Sequence, residues 1–166
     1  TREVCDVAEV ELANLNCPGQ LVISGATTGI EKACKLAKEK GAKRALPLTV
    51  AGAYHSRLME SASPKLEAAL REVPLNLPNM PVISNVTANP HATAGEILQR
   101  LVEQVTSSVL WEASIRHLKD EGFTRFIELG PGNALTGFMR RIDRELEVYN
   151  ISDCESLEKT VNALKS

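Results

Sequence analysis

A chain of 166 residues, 43% hydrophobic and 24% charged, is long enough to bury a core and fits one globular domain or one and a half. Its formal net charge of -2 excludes a general nucleic-acid binder, whose phosphate contacts need a basic excess. No apolar run approaches the roughly 20 residues that span a bilayer, so a soluble chain with no membrane role is expected. Cys5, Cys17, Cys34 and Cys154 lack CxxC or metal spacing and read as reduced cytoplasmic thiols, with no metal and no cofactor expected.

"TREVCDVAEVELAN" opens without an initiator Met or a signal peptide, on what reads as the end of a helix, as a processed chain or a fragment would. "EVELAN" and "QLVISG" predict strands joined at Pro18-Gly19. Thr28 and Glu31 have capping-box spacing, and Ile30, Ala33, Leu36 and Ala37 recur at helical intervals up to a stop at Gly41. "AKRALPLTV" predicts the next strand, giving an α, β, β, α, β series. That is a ferredoxin-like order short of its first strand.

Further along, Pro64 is expected at the first position of a helix capped by Ser63. "LPNMPVISNVTA" predicts a buried strand. Thr93 and Glu96 predict a capping box ahead of the stripe Ile97, Leu98, Leu101, Val102 and Val105. "SSVLWEASIRHLKDEG" predicts a helix stopped by Gly122, and "FTRFIELG" a buried strand. "PGNALTGFMRRIDREL" is expected to turn into a helix, followed by the strand "EVYNIS" and the helix "SLEKTVNALK". Strands alternating with helices define an α/β class.

His55 lies where a strand and a small-residue turn end, the place where open α/β sheets gather ligands. There it is either a proton-transfer base or a packed or capping histidine. No serine of this chain stands in a G-x-S-x-G turn, so a base here has no evident nucleophile. "ELGPGNALTG" has the strand, glycine turn and helix that can hold an anion, but not the complete phosphate fingerprints. "SGATTG" is weaker still. Asn14 and Asn16 point the same way if their strand persists, either toward a polar ligand or into the turn. His91 and His117 read as surface residues.

Taken in order, "NLNCPGQLVISG", "GAKRALPLTVAGAYHSRLM", "PVISNVTA", "SSVLW" and "IELGPGNALTGFMRR" resemble the malonyl-CoA:acyl carrier protein transacylases over nearly the whole chain. Acyltransferase domains of polyketide synthases share the pattern. The resemblance implies the C-terminal part of an α/β-hydrolase-like acyltransferase core plus an incomplete ferredoxin-like small subdomain. Residues 1–50 would form that subdomain, and 51–166 the C-terminal part of the large one.

It also implies transfer of a malonyl group from coenzyme A to the phosphopantetheine thiol of acyl carrier protein in fatty acid biosynthesis, through an acyl-serine intermediate. His55 matches the family's general base, and Gln104 the position whose backbone carbonyl orients it, so the Gln104 side chain should matter less. Asn14 and Asn16 match positions lining the acyl pocket. Tyr54 matches an aromatic position that leaves less room for an α-methyl group. Ser108 stands where many relatives have proline. The serine nucleophile, the oxyanion donor and the malonyl-binding arginine belong to an N-terminal half not contained in this chain, which alone is expected to be inactive and poorly folded. The competing classes are a non-catalytic partner-binding α/β module and a nucleotide-binding domain built on "ELGPGNALTG".

Overall fold

The computed structural model describes residues 1–165; Ser166 lies outside them. The chain divides into two compact units, Thr1–Asn16 with Gln20–Trp111, and Cys17–Gly19 with the chain from Glu112 onward. Helices and strands mix in an α/β pattern, and among the described residues no helix is long and apolar enough to cross a membrane.

The first unit opens with helix α1 (Arg2–Ala8), strand β1 (Glu11–Cys17), strand β2 (Gln20–Ser24) and helix α2 (Thr27–Glu39). β1 and β2 pair as a two-stranded sheet. Val4, Cys5 and Ala8 of α1, Val10 and Ala33 form its core, flanked by Leu12, Ile23, Ile30, Leu36 and Ala37, so the predicted face of α2 is the one that packs. The glycines of "SGATTG" permit this approach. A Cβ on Gly25 would stand 2.7 Å from Val10 Cγ1, and one on Gly29 2.8 Å from the Ala8 carbonyl oxygen. The capping box expected at Thr28 and Glu31 is not formed. The helix starts at Thr27 with Ala26 at the N-cap and no side-chain cap bond.

Two predicted strands of this unit are absent from its sheet. Residues 42–50 are irregular, with Leu46, Leu48 and Val50 exposed, and no described strand pairs with them. A β-branched run becomes a strand only when a neighbour takes its backbone groups. "PVISNVTA" is not a strand, and only its Ser84 and Ala88 are buried. It forms a tight turn closed by Ser84 N to Asn89 O at 2.9 Å, with one bridge between Ile83 and Pro90, and Met80 and Val82 are exposed.

After His55 comes a 3₁₀ helix (Arg57–Ala62) running into helix α3 (Ser63–Arg71). Ser63 is therefore already helical and caps nothing, and Pro64 stands at the second helical position rather than the expected first. Helix α4 (Ala94–Glu103) bears out the Thr93 cap of its expected capping box, while the reciprocal bond falls one residue earlier, on Ala92. Glu96 N donates to Thr93 Oγ1 at 3.1 Å, and the Glu96 carboxylate accepts from Ala92 N at 2.8 Å.

Helix α5 (Trp111–Asp120) begins later than predicted. After a bend at Ser107, Ser108 to Leu110 run beside β1 instead, because Val109 exchanges backbone bonds with it: Val109 N to Ala13 O at 2.8 Å and Leu15 N to Val109 O at 2.9 Å.

In the second unit, strand β3 (Arg125–Leu129) crosses through helix α6 (Ala134–Ile142) to a parallel neighbour, strand β4 (Glu147–Ile151), and helix α7 (Cys154–Lys165) follows. Register pairs Arg125 with Glu147, whose side chains form an ion pair at 2.8 Å. β3 forms as predicted but is not buried: Ile127 and Leu129 are exposed, since only one described strand flanks it. Met139 is buried on α6, with Leu135, Phe138 and Ile142 half-buried beside it.

Glu128 joins β3 to α6. Its carboxylate accepts from Leu135 N at 3.1 Å, Thr136 N at 2.8 Å and Thr136 Oγ1 at 2.6 Å, satisfying the orphan donors of the helix start. Burial pushes this carboxyl up, but the bonds from Thr136 and Leu135 outweigh it and hold it below its ordinary value of 4.5. A depressed folded-state value means that the stabilisation is fully present above the unfolded value and is lost as pH falls through the folded one. Glu128→Gln is thus expected to lower stability at pH 7 and to match wild type below the usual carboxylate range, as followed by urea unfolding across pH. A stability gap that persists in acid would contradict this origin.

Candidate functional site

The site is built on His55 and the end of α4. An α-helix leaves its last carbonyls without intrahelical donors. In α4 three of the last four find backbone donors at or just past the C-cap. Gln104 N bonds Arg100 O at 3.0 Å, Val105 N bonds Val102 O at 3.2 Å, and Thr106 N bonds Glu103 O at 3.2 Å. The carbonyl of Gln104, the C-cap residue, lies 2.9 Å from His55 Nδ1.

That contact decides the ring's chemistry. A carbonyl oxygen only accepts, so Nδ1 must carry the hydrogen, and in the neutral ring Nε2 keeps its lone pair. The atom left to accept a proton is Nε2.

The turn holds the ring in place. His55 has a φ of +59°, an uncommon left-handed conformation for a residue with a Cβ. Its neighbour Ser56 is fully buried and its Oγ donates to Ala53 O at 2.6 Å, while Met59 N closes the next turn on Ser56 O at 3.0 Å. Ser56 is a structural pin. Its hydroxyl faces inward and is already committed, so it is not a nucleophile for the adjacent ring. Strain at a residue whose neighbours over-determine it is a feature of functional sites.

The other expected site residues are placed as follows. Tyr54 is half-exposed, and its ring folds back over Gly52, whose Cβ position lies 3.7 Å from Tyr54 Cζ. Asn14 and Asn16 both lie on β1, two residues apart and so on one face, with Asn16 buried. Asn14 bridges Val109, in the segment that follows Gln104. His55 and Gln104 are thus brought into direct contact, and the asparagines are tied to them through residues 105–109.

Two contributions escaped the sequence. Asn85 Nδ2 donates to Gln104 Oε1 at 3.3 Å, so the Gln104 side chain is engaged rather than idle. "SNVTA" contained Asn85, but nothing in its spacing pointed to Gln104. Glu128 was the other, and it bears on the rival nucleotide-binding class. The start of α6, where a phosphate would sit, is filled by the chain's own carboxylate. Among the described residues no three His, Cys, Asp or Glu side chains group as metal ligands.

The acyl transferase domain family matches residues 1–162, and the chain belongs to that family. It is 47% identical over 156 residues to the malonyl CoA-acyl carrier protein transacylase of Bacillus subtilis, covering 94% of this chain and 49% of that protein. Its fold is similar to that of an acyl-carrier-protein S-malonyltransferase from Burkholderia pseudomallei, with a TM-score of 0.94 and 41% identity over 97% of this chain and 54% of that one. It is also similar to a malonyl-transacylase solved in complex with a type II PKS acyl-carrier protein, at a TM-score of 0.92 and 34% identity over 98% and 52% of the two chains. The chain spans about half the length of the curated relatives it matches.

The Nδ1 contact has a spectroscopic consequence. Nitrogen-15 shifts of the neutral His55 ring are expected to show a protonated Nδ1 and a bare Nε2. The opposite tautomer would contradict the assignment of Nε2 as the open position.

Proposed function

We propose that this chain supplies the general base and part of the acyl pocket of a malonyl-CoA:acyl carrier protein transacylase working in cytoplasmic fatty acid biosynthesis. What carries the reading is the bond between His55 Nδ1 and the Gln104 carbonyl, 2.9 Å long, in a chain 47% identical to a named transacylase. The nucleophilic serine, together with the oxyanion donor and the arginine for the malonyl carboxylate, comes from polypeptide outside residues 1–166.

Transfer runs in two mirrored halves. Nε2 of His55 takes the serine proton as the hydroxyl oxygen adds to the malonyl thioester carbonyl. The carbon–sulfur bond then breaks, and the same proton passes to the departing coenzyme A sulfur. In the second half the phosphopantetheine thiol of the carrier gives its proton to Nε2 as its sulfur adds to the acyl-serine. The carbon–oxygen bond breaks and the proton returns to the serine. A thiol, with a pKa of about 8.5, leaves readily without a strong acid. The base therefore has no need of a carboxylate partner, and a backbone carbonyl suffices to orient it.

Asn14 and Asn16 line the acyl pocket in this account, with Tyr54 beside the base limiting room for an α-methyl group. Residues 1–50 are assigned to the small subdomain and 51–166 to the C-terminal part of the large one. The name of the carrier-bound relative keeps a polyketide synthase context as the second reading. Comparing transfer to fatty acid and polyketide carrier proteins separates the two.

In the complete polypeptide, His55→Ala is expected to lower kcat for malonyl transfer by about 10²-fold to 10⁴-fold, the range for loss of a positioned base, with the thermal unfolding midpoint unchanged. Wild-type enzyme should favour malonyl over methylmalonyl thioester in the same assay. Undiminished transfer by the alanine variant would overturn the base, and equal kcat/KM for the two thioesters would remove the role given to Tyr54.

A further inference from the structure

β1 is held at its beginning by two separate ties, and both lead back to His55. At one side, Arg57 stands two residues after His55 and starts the 3₁₀ helix. Its Nε lies 3.3 Å from Glu11 Oε1, at the first residue of β1. At the other, Ser108 Oγ donates to the Leu12 carbonyl, and Val109 adds backbone bonds to Ala13 and Leu15 at 2.8 Å and 2.9 Å. Ser108 is separated from Gln104 only by Val105, Thr106 and Ser107. That short link is not slack, because Val105 N and Thr106 N are both bonded back onto the end of α4.

The contacts therefore close on themselves. They run from His55 to the Gln104 carbonyl, along to Ser108, across to Leu12, back one residue to Glu11, and through Arg57 to His55 again. We propose that this ring is a spacer that fixes the distance between the His55 imidazole and the asparagine face of β1. Arg57 and Ser108 are then positioning residues for acyl-group selectivity. The proposal rests on the reading of His55 as the base and of Asn14 and Asn16 as pocket residues.

Each tie is individually modest. The Arg57 side chain is 68% exposed, so its ion pair adds little to global stability. Geometry is a different matter, since a shift of about 1 Å between reacting groups can cost on the order of 10²-fold in rate. A ring also has a property that independent contacts lack. Opening it at any one link releases the same motion, so a second opening releases little more. The effects of breaking Arg57 and Ser108 are then strongly non-additive although the two residues do not touch.

The test is a double-mutant cycle in the complete polypeptide with Arg57→Gln, Ser108→Ala and both together. The readout is the ratio of kcat/KM for malonyl against methylmalonyl thioester, which a reduced fraction of folded enzyme leaves untouched. One methyl group in a fitted pocket is worth about 10-fold to 200-fold in discrimination. Each single variant is expected to lose about three- to tenfold of the wild-type ratio and the double variant no more than the worse single. Arg57→Lys and Ser108→Thr, which keep the charge and the hydroxyl, should restore it.

Amide exchange at Leu15 and Val109 needs no activity and should quicken in each single variant and no further in the double. Unchanged ratios and exchange in both singles, or effects that multiply in the double, would overturn the ring. Full transfer by His55→Ala would instead overturn the assignment of the base, and the exchange result would still decide whether the ring exists.

Discussion

Most of what this chain can do depends on one unspent carbonyl. At the end of helix α4 the carbonyls of Arg100, Val102 and Glu103 are taken by the amides of Gln104, Val105 and Thr106, and that of the C-cap residue Gln104 is met by the His55 ring at 2.9 Å. A side-chain carboxylate in that position could share or surrender a proton. A peptide carbonyl can do neither at any accessible pH, so it fixes the tautomer without entering the titration. The ring is left with one face of chemistry, at Nε2. The left-handed backbone at His55 and the buried Ser56 pin complete the restraint.

The same constraint explains why the surrounding structure is so heavily tied. In the proposed reading His55 acts only where its partner atom is placed, and placement here is passed along short bonded links rather than through a large core. Asn85 holds the Gln104 side chain, Thr93 and Glu96 fix the start of the helix that Gln104 ends, and Val109 fastens the next segment to β1. None of these is strong alone. Each removes a different freedom from the peptide that carries the orienting carbonyl. The Glu128 cap works in the other unit by similar physics, a chain atom meeting a helix's unpaired groups, and it leaves no opening there for a phosphate.

How much of this could be read in the sequence follows from the range of the forces involved. The Thr93 cap bond to Glu96 was legible because both residues lie within one turn, and so was the α2 stripe through Ala33. Residues 42–50 and 81–88 were misjudged because strand formation depends on a neighbour, which periodicity does not encode. α5 begins later than its sequence predicts because Val109 pairs with the backbone of β1, nearly a hundred residues away. The glycines of "SGATTG" invited a phosphate reading, whereas their use is to let Val10 approach. His55 stood out from its position alone, but Gln104 came only from family resemblance, since a backbone carbonyl leaves no mark on residue identity.

The central claim is that Nε2 of His55 faces a hydroxyl contributed by polypeptide beyond residues 1–166. A crystal structure of the complete polypeptide tests it most directly. The account predicts a serine Oγ within about 2.6–3.2 Å of Nε2, hydrogen-bond reach for proton transfer, while Nδ1 stays on the Gln104 carbonyl. A ring turned to present Nδ1 outward, or an Nε2 closed off by a carboxylate or an apolar side chain, would contradict it.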